Sequence, residues 1–407
     1  MKSYSLVFLF ILCSFISLAQ DGRMNYKFSG FVDTYHAVRS KKPYDFMSSR
    51  SRLRTELSAT NGDSYFFVSL NSTYNEIIRD QTKIELREAF LQYTNACWNI
   101  KAGRQIILWG VADGLRVTDI VSPMDYSEYL ARDYDDIRIP VNAFRIKYIK
   151  PDYSCELVFI PSSEFFILPV DEENPWSVTR SLRMPYRADM ENTPSKTFKN
   201  SEYGGRLSFF FSGIDFSVSA LHSWNKMPVF KYGYTPGKDT VLLDARYSRM
   251  NMLGADFSKP VGEFVLRGEI AGYFGELIEF FGDDAVKKNT LSYLLGIDWY
   301  AADDWTFMVQ YYQKIISNYK SFMKSDKNTA YATINVSKKI LRSTLSLSTY
   351  AYIDLMNKAV FDRTSVDYSL TDQIHLMIGY DLFRGDKGML SSYKDNSEIW
   401  IKAKYCF

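Results

Sequence analysis

The sequence predicts an all-β protein, a closed antiparallel transmembrane β-barrel of about 18 strands, or about 16 if the weakest run is not a strand. Three observations lead there. Apolar and polar residues alternate with period two in run after run. The links between runs alternate between short and long. The chain closes on an alternating segment, EIWIKAKYCF, whose last residue is Phe407.

The chain opens MKSYSLVFLFILCSFISLAQ, where Lys2 precedes an apolar run from Leu6 to Ile16 and then the small-x-small pattern Ser17-Leu18-Ala19. This reads as a secretory signal peptide over residues 1–19, with the mature chain starting near Gln20. Leu12 stands where lipidation of Cys13 would need a small residue, so a lipoprotein is the weaker reading. Beyond the leader no apolar stretch reaches the ~18 residues of a membrane helix. The protein is therefore expected to be exported without a helical anchor. Its 49 basic and 47 acidic side chains nearly cancel, which removes nucleic acid and polybasic membrane contacts as a basis for function. Cys97, Cys155 and Cys406 are an odd set without CxxC spacing, against a disulfide framework. The 30 Tyr, 29 Phe and 7 Trp suit a membrane interface or a carbohydrate-binding surface.

Strand-like runs fall at 26–39, 50–60, 65–75, 83–94 and 96–106, then at 140–150, 153–160, 203–211, 214–224, 241–257 and 261–274. They continue at 289–300, 304–316, 328–340, 343–354, 360–370, 373–384 and 395–407, with 360–370 the weakest. In the segment 373–384, Ile374, Leu376, Ile378, Tyr380 and Leu382 make an apolar wall opposite His375, Met377, Gly379 and Asp381. In 329–337, Ala330, Ala332, Ile334 and Val336 alternate with Tyr331, Thr333 and Asn335. A soluble sandwich rarely sustains such alternation over so many strands in one domain.

The connections sharpen the assignment. Tight turns are expected at NGDS (61–64), PDY (151–153), FSG (211–213), SKP (258–260), AADD (301–304) and TDQ (371–373), and each is followed one strand later by a longer link. The longer links include 108–139, 161–202, 225–240 and 275–289. That register is the one expected for short periplasmic turns and long outer loops. Residues 20–407 are then one barrel domain, and the first strand begins so near the leader that no N-terminal plug is expected.

At the far end, Ile399, Ile401, Ala403, Tyr405 and Phe407 share one face while Trp400, Lys402, Lys404 and Cys406 share the other. This resembles the last strand of Gram-negative outer-membrane barrels, in which a terminal aromatic serves as an assembly signal. The resemblance implies that Tyr405 and Phe407 carry that signal to a barrel assembly machinery.

A barrel this wide has an aqueous lumen unless loops fill it, and inward charges then select solutes. In RSRLRTELS, Arg50, Arg52, Arg54 and Glu56 share the face expected to line the lumen, opposite Ser51, Leu53, Thr55 and Leu57. Glu85 and Arg87, Arg145 and Lys147, and Arg206 point the same way by alternation. The stretch GRQIILWGVADGLRVTDIVSPMD, Gly103 to Asp125, ends the fifth run and enters the third long link. Arg104, Gln105 and Trp109 start it, and Asp113, Arg116, Asp119, Asp125, Glu128, Arg132, Asp133, Asp135, Asp136 and Arg138 follow. A loop of this kind, folded inward, would narrow the channel and set opposite charges across it; the plainer alternative is a solvated surface loop. FFILP and PWSVTRSLRMPY within 161–202 could cap the pore, hold an apolar solute or meet a partner.

Gly103-Arg104-Gln105, Trp109-Gly110, Asp119, Pro123-Met124-Asp125 and Arg138-Ile139-Pro140 resemble a segment of poorly characterised porin-like outer-membrane barrels, some of them encoded beside resistance-nodulation-division exporters. The resemblance implies a porin-like barrel in the outer membrane and names no cargo. The reading that follows is a passive channel for small solutes, without catalysis, cofactor or metal, surrounded by outer-membrane lipid. A homotrimer is left open. Alternatives are the outer-membrane partner of an exporter carrying apolar or lipid-like cargo, and a barrel hydrolase or adhesin. The glycines from Gly103 to Gly114 form neither a phosphate loop nor GxGxxG. His36, His222 and His375 lack ligand spacing for zinc, and a hydrolase would have to use His36, or His222 with Ser223. The acidic runs DEEN (171–174) and DYDD (133–136) are weak calcium candidates, since such loops are usually solvated.

Overall fold

Eighteen antiparallel strands close into a barrel in the computed structural model, which describes residues 24–407 apart from 135, 181, 183, 238 and 281–284. The expected signal peptide lies outside the described residues. The strands are β1 (Asn25–Arg39), β2 (Phe46–Asn61), β3 (Ser64–Asn75), β4 (Lys83–Thr94), β5 (Trp98–Gln105), β6 (Val141–Ile149), β7 (Tyr153–Ser162), β8 (Tyr186–Asp189), β9 (Glu202–Phe211) and β10 (Ile214–Trp224). Then follow β11 (Val229–Tyr234), β12 (Val241–Arg246), β13 (Arg249–Val261), β14 (Phe264–Ile278), β15 (Val286–Ala301), β16 (Trp305–Ile316), β17 (Asn328–Ile340), β18 (Leu345–Asp354), β19 (Ala359–Ser369), β20 (Ile374–Arg384) and β21 (Glu398–Cys406). Neighbours pair in chain order, except that β8, β11 and β12 stand outside the wall, so β7 meets β9 and β10 meets β13. The ring closes where β1 pairs with β21, and Phe407 and Gly30 exchange backbone hydrogen bonds of 2.9 and 3.0 Å. The expected reserve of sixteen strands falls away, because Ala359–Ser369 pairs fully on both sides.

Period two gives the wall two chemistries. On β21, Ile399, Ile401, Tyr405 and Phe407 are exposed outward while Trp400 and Lys402 are buried inward. On β20, Leu376, Ile378 and Tyr380 are exposed and Asp381 is buried. On β2, Arg50 and Arg52 are buried and Leu53 and Leu57 exposed. An apolar outer band around a polar interior is what a strand-built membrane span requires, since a closed ring leaves no backbone group unpaired in lipid. Among the described residues no helix is long and apolar enough to cross a membrane.

Two expectations change. The run 241–257 is not one strand: Val241–Arg246 pairs antiparallel with Val229–Tyr234 and parallel with Tyr186–Asp189 in a small sheet, and the wall resumes only at Arg249. Val241, Leu243 and Ala245 alternate as barrel residues do, but the face they bury is that of the small sheet. SKP (258–260) is not a turn either. Pro260 lies in the projecting end of β13, beyond Ser258, the last residue paired with β10, where a missing N–H is tolerated. The chain reverses instead at Gly262, with φ +60°.

Candidate functional site

The 106–140 link does not stay outside; it crosses the lumen. Its entry is fixed by side chains that satisfy its first amides: Glu88 Oε1 accepts from Ile106 N at 3.0 Å, Ser122 Oγ from Ile107 N at 3.0 Å, and Asp119 Oδ1 from Trp109 N at 3.2 Å. Gly110 and Gly114 have φ of +87° and +70°, and a Cβ at Gly114 would come within 2.0 Å of the Tyr350 hydroxyl. Only glycine fits where the backbone turns left-handed against the far wall.

That wall holds the loop by its backbone. Glu269 on β14 accepts from Val111 N (2.5 Å), Ala112 N (2.6 Å), Thr118 N (2.9 Å) and Thr118 Oγ1 (2.9 Å). Gln310 on β16 and Asp113 exchange two bonds, Asp113 N to Gln310 Oε1 at 3.1 Å and Gln310 Nε2 to Asp113 O at 2.7 Å. Tyr350 and Tyr352 on β18 donate to Asp113 O and Gly114 O at 2.9 and 2.8 Å. Ile107, Trp109, Val117 and Val121 pack with Leu221, Met252 and Tyr273 of the wall, so an apolar cluster forms inside a polar lumen.

The charges beyond the bend are tied in ion pairs. Arg138 pairs with Asp119, Arg132 with Asp125 at 3.1 Å, and Glu128 with Arg50 at 2.9 Å. Asp136 bridges Arg52 and Arg54, the latter at 2.8 Å, and its carbonyl accepts from Arg87 at 3.2 Å. Asp133 meets Lys402 at 2.9 Å. The opposed charges expected across the constriction are thus largely in contact with one another, which anchors the loop more than it spreads a field. Burial alone would raise the Asp136 carboxyl, but Arg52, Arg54 and Arg132 hold it well below the usual carboxylate range. Enclosure within the barrel opposes ionisation of Asp133 although its side chain is open to solvent, and Lys402 and Arg363 hold it at about 2. More than half of the Asp133 side chain (57%) is accessible, so its pair is screened and the Asp136 cluster dominates.

These depressed values fix a sign. A carboxylate held low contributes above its unfolded value, and the contribution is lost as the pH falls through the folded value. The conductance difference between wild type and Asp136→Asn is expected to be constant from about pH 8 to 5 and to persist through the usual carboxylate range, because Asp136 is held well below it. Channel recordings at stepped pH measure it, and a difference already gone at about pH 5 contradicts the anchoring.

The remaining expected residues are spread over the wall. Glu85 accepts from Asn71 at 3.2 Å and pairs with Lys83. Gln105 is buried and donates to Ala143 O at 3.0 Å, and Trp109 Nε1 donates to Glu156 at 2.9 Å. Arg116 lies over the Phe166 ring and donates to Asp119 O and Ser122 O at 2.6 and 2.5 Å. Arg206 meets Asp256 at 2.8 Å. Arg145 and Lys147 alternate with the exposed Phe144 on β6, facing inward, and make no ion pair among the described residues. Arg104 departs from expectation: it pairs across from Asn142, on the face opposite Lys101 and Gln105, and meets Glu164 at 3.2 Å. Asp135 lies outside the described residues. Sequence reasoning missed Glu269, Gln310, Tyr350 and Tyr352; alternation could place them on the inner face, but nothing local says that a loop more than 150 residues away in sequence lands on Glu269. It also missed Lys101, directly opposite Arg145 in the register.

Described residues of the 163–201 link pack on this crossing: Asn174 Nδ2 donates to Ser127 O at 3.1 Å. Ile167 bridges to Asp125, and the buried Trp176 packs against Phe383 and Tyr393 at ring distances of 5.5 and 5.8 Å. The hydrolase pair dissolves: His222 faces outward while Ser223 is buried inward, donating to Glu202.

Fold and interior together define a transmembrane β-barrel whose lumen is crossed by its own loop. No family model matches the chain, and no curated protein matches it. Similar solved structures include OccK2 (OpdF) of Pseudomonas aeruginosa in complex with glucuronate, with TM-score 0.55 and 10% identity over 94% of this chain and 98% of that one. OpdL of the same organism gives TM-score 0.55 and 10% identity over 94% and 99% of the chains. OccAB1 of Acinetobacter baumannii gives 0.55 and 9% over 94% and 96%. At such identities the likeness is one of fold.

Proposed function

We propose that the protein is an outer-membrane channel for passive diffusion of small solutes, narrowed by the loop 106–140 and favouring anions. The observation that carries this is the charge left over once the loop is anchored. Asp119, Asp125, Glu128 and Asp136 are each engaged by an arginine, whereas Lys101, Arg145 and Lys147 on two adjacent strands carry no ion pair among the described residues. Lys101 sits over the Phe90 ring at 3.6 Å and Arg145 stands directly beside it in the register. Like charges placed opposite each other repel, and a passing anion relieves that repulsion. The neighbouring fold with glucuronate bound is of the same architecture, and a carboxylate-bearing solute is compatible with such a wall. The outer membrane follows from the barrel and its short and long links, Tyr405 and Phe407 supply the assembly signal, and no reaction is involved. The porin-like resemblance extends no further than this.

The test is a planar bilayer under a salt gradient. Wild type is expected to give ohmic steps with an anion-selective reversal potential, and Lys101→Gln/Arg145→Gln/Lys147→Gln to shift that potential toward cations. A barrel without conductance overturns the channel, and an unchanged potential overturns the selectivity.

A further inference from the structure

The outward wall carries a feature that passage through the lumen does not use. Tyr203, His222, Asn251 and Phe274 form one row across β9, β10, β13 and β14, facing away from the lumen. His222 Nδ1 and Asn251 Oδ1 lie 2.6 Å apart, and the His222 ring stacks on Tyr203 at 5.0 Å. The second ring nitrogen of His222 and the Asn251 amide nitrogen make no hydrogen bond among the described residues. One step in from the rim the outward row is Leu157, Gly205, Ala220, Leu253 and Gly272, where small residues leave a groove of about 830 Å³ between exposed leucines. One step toward the rim, Trp224 pairs across from Arg249. The Arg249 guanidinium lies 4.3 Å from the Trp224 ring and donates to Ser201 O and Lys199 O at 2.7 and 2.8 Å. No carboxylate among the described residues pairs with it, and Lys199 beside it is exposed.

We propose that this face binds one anionic, phosphate-bearing membrane lipid, with an acyl chain in the groove and the phosphate at Arg249. The order of chemistry along the wall is that of such a lipid: an unpaired cation at the rim, a hydrogen-bonding pair about 7 Å further in, and an apolar trough beneath. A polar pair on a lipid-facing wall is tolerated where a headgroup or glycerol ester accepts from the free Asn251 amide and a headgroup hydroxyl meets the second His222 nitrogen, and the ring under Arg249 holds the charge in place. Charge complementarity commits the occupant to an anionic lipid, because a neutral lipid would leave Arg249 with only backbone carbonyls. Ala220, which with Gly205 lies between Leu157 and Leu253, sets the depth of the trough.

Native mass spectrometry of the full-length, delipidated barrel tests this with dioleoylphosphatidic acid against dioleoylglycerol. Wild type is expected to bind the phosphatidic acid about tenfold more tightly, a difference of about 1.4 kcal/mol. Arg249→Gln/His222→Ala is expected to bring the two lipids level, and Ala220→Trp to lower retention of both. Heat-dependent gel migration reports that each variant is folded; if Ala220→Trp fails it, Ala220→Leu fills the same space with less bulk. Equal retention of the two lipids by wild type, or wild-type retention of phosphatidic acid by the folded Arg249→Gln/His222→Ala variant, overturns the site. Neither outcome depends on conductance.

Discussion

Replacing Glu269 with alanine is expected to free the bend of the lumen loop and raise single-channel conductance severalfold, with lower thermal stability. One carboxylate accepts three backbone amides and a hydroxyl, at 2.5 to 2.9 Å from Val111, Ala112 and Thr118. A hydrogen bond to a charged group contributes about 1.5–3 kcal/mol, and water admitted to the lumen would replace part of it, so a net loss on the order of 3–5 kcal/mol is expected. A Cβ at Gly110 would stand 2.5 Å from the Glu269 carboxylate, which shows how closely the backbone is drawn to it. Glu269→Gln should fall between wild type and alanine, because an amide keeps one acceptor oxygen and turns a donor toward other donors. Thr118→Ala removes one of the four bonds and should have the smallest effect. Single-channel recording with a thermal melt measures the series. Conductance and current noise in Glu269→Ala equal to wild type would sink the idea that this carboxylate sets the bore.

Why Glu269 escaped the sequence while the barrel did not is a matter of range. Alternation is local: Ile399, Ile401 and Tyr405 opposite Trp400 and Lys402 need only period two, and the pairing of β21 with β1 follows from closure. The strands Lys83–Thr94, Ile214–Trp224 and Asn328–Ile340 have the expected limits for that reason. The same rule failed at Val241–Arg246, since a small cap sheet and a barrel wall share one period. For the lumen loop, the sequence announced its charges and its glycines but not their partners. Asp119 with Arg138 and Asp125 with Arg132 lie within one segment, whereas Asp136 with Arg52 and Asp133 with Lys402 join distant strands. Arg104 went astray because one residue of phase decides between lumen and outer face, and phase is least certain where a strand gives way to a loop.

The second large effect is expected at Asp136. Its carboxylate sits between Arg52 and Arg54, with side-chain exposures of 13%, 4% and 12%. Asp136→Asn leaves two buried guanidiniums sharing Asp33, which already meets Arg52 at 2.5 Å, and Asn71, which accepts from Arg54 at 2.7 Å. Removing one member of a buried pair costs about 3–5 kcal/mol; the surviving Asp33 should bring the loss to the lower end. The thermal unfolding midpoint is expected to drop, and the loop from 130 to 140 to leave β2, seen as added open-channel noise. If the penalty is the stranded charge of Arg52 rather than lost packing, Arg52→Gln should relieve part of it. The double variant Arg52→Gln/Asp136→Asn is then expected to be more stable than the sum of the two single losses. Additivity within about 0.5 kcal/mol would mean that the two side chains do not act as a pair, and the anchoring would have to come from the backbone bonds to Glu269, Gln310, Tyr350 and Tyr352 alone.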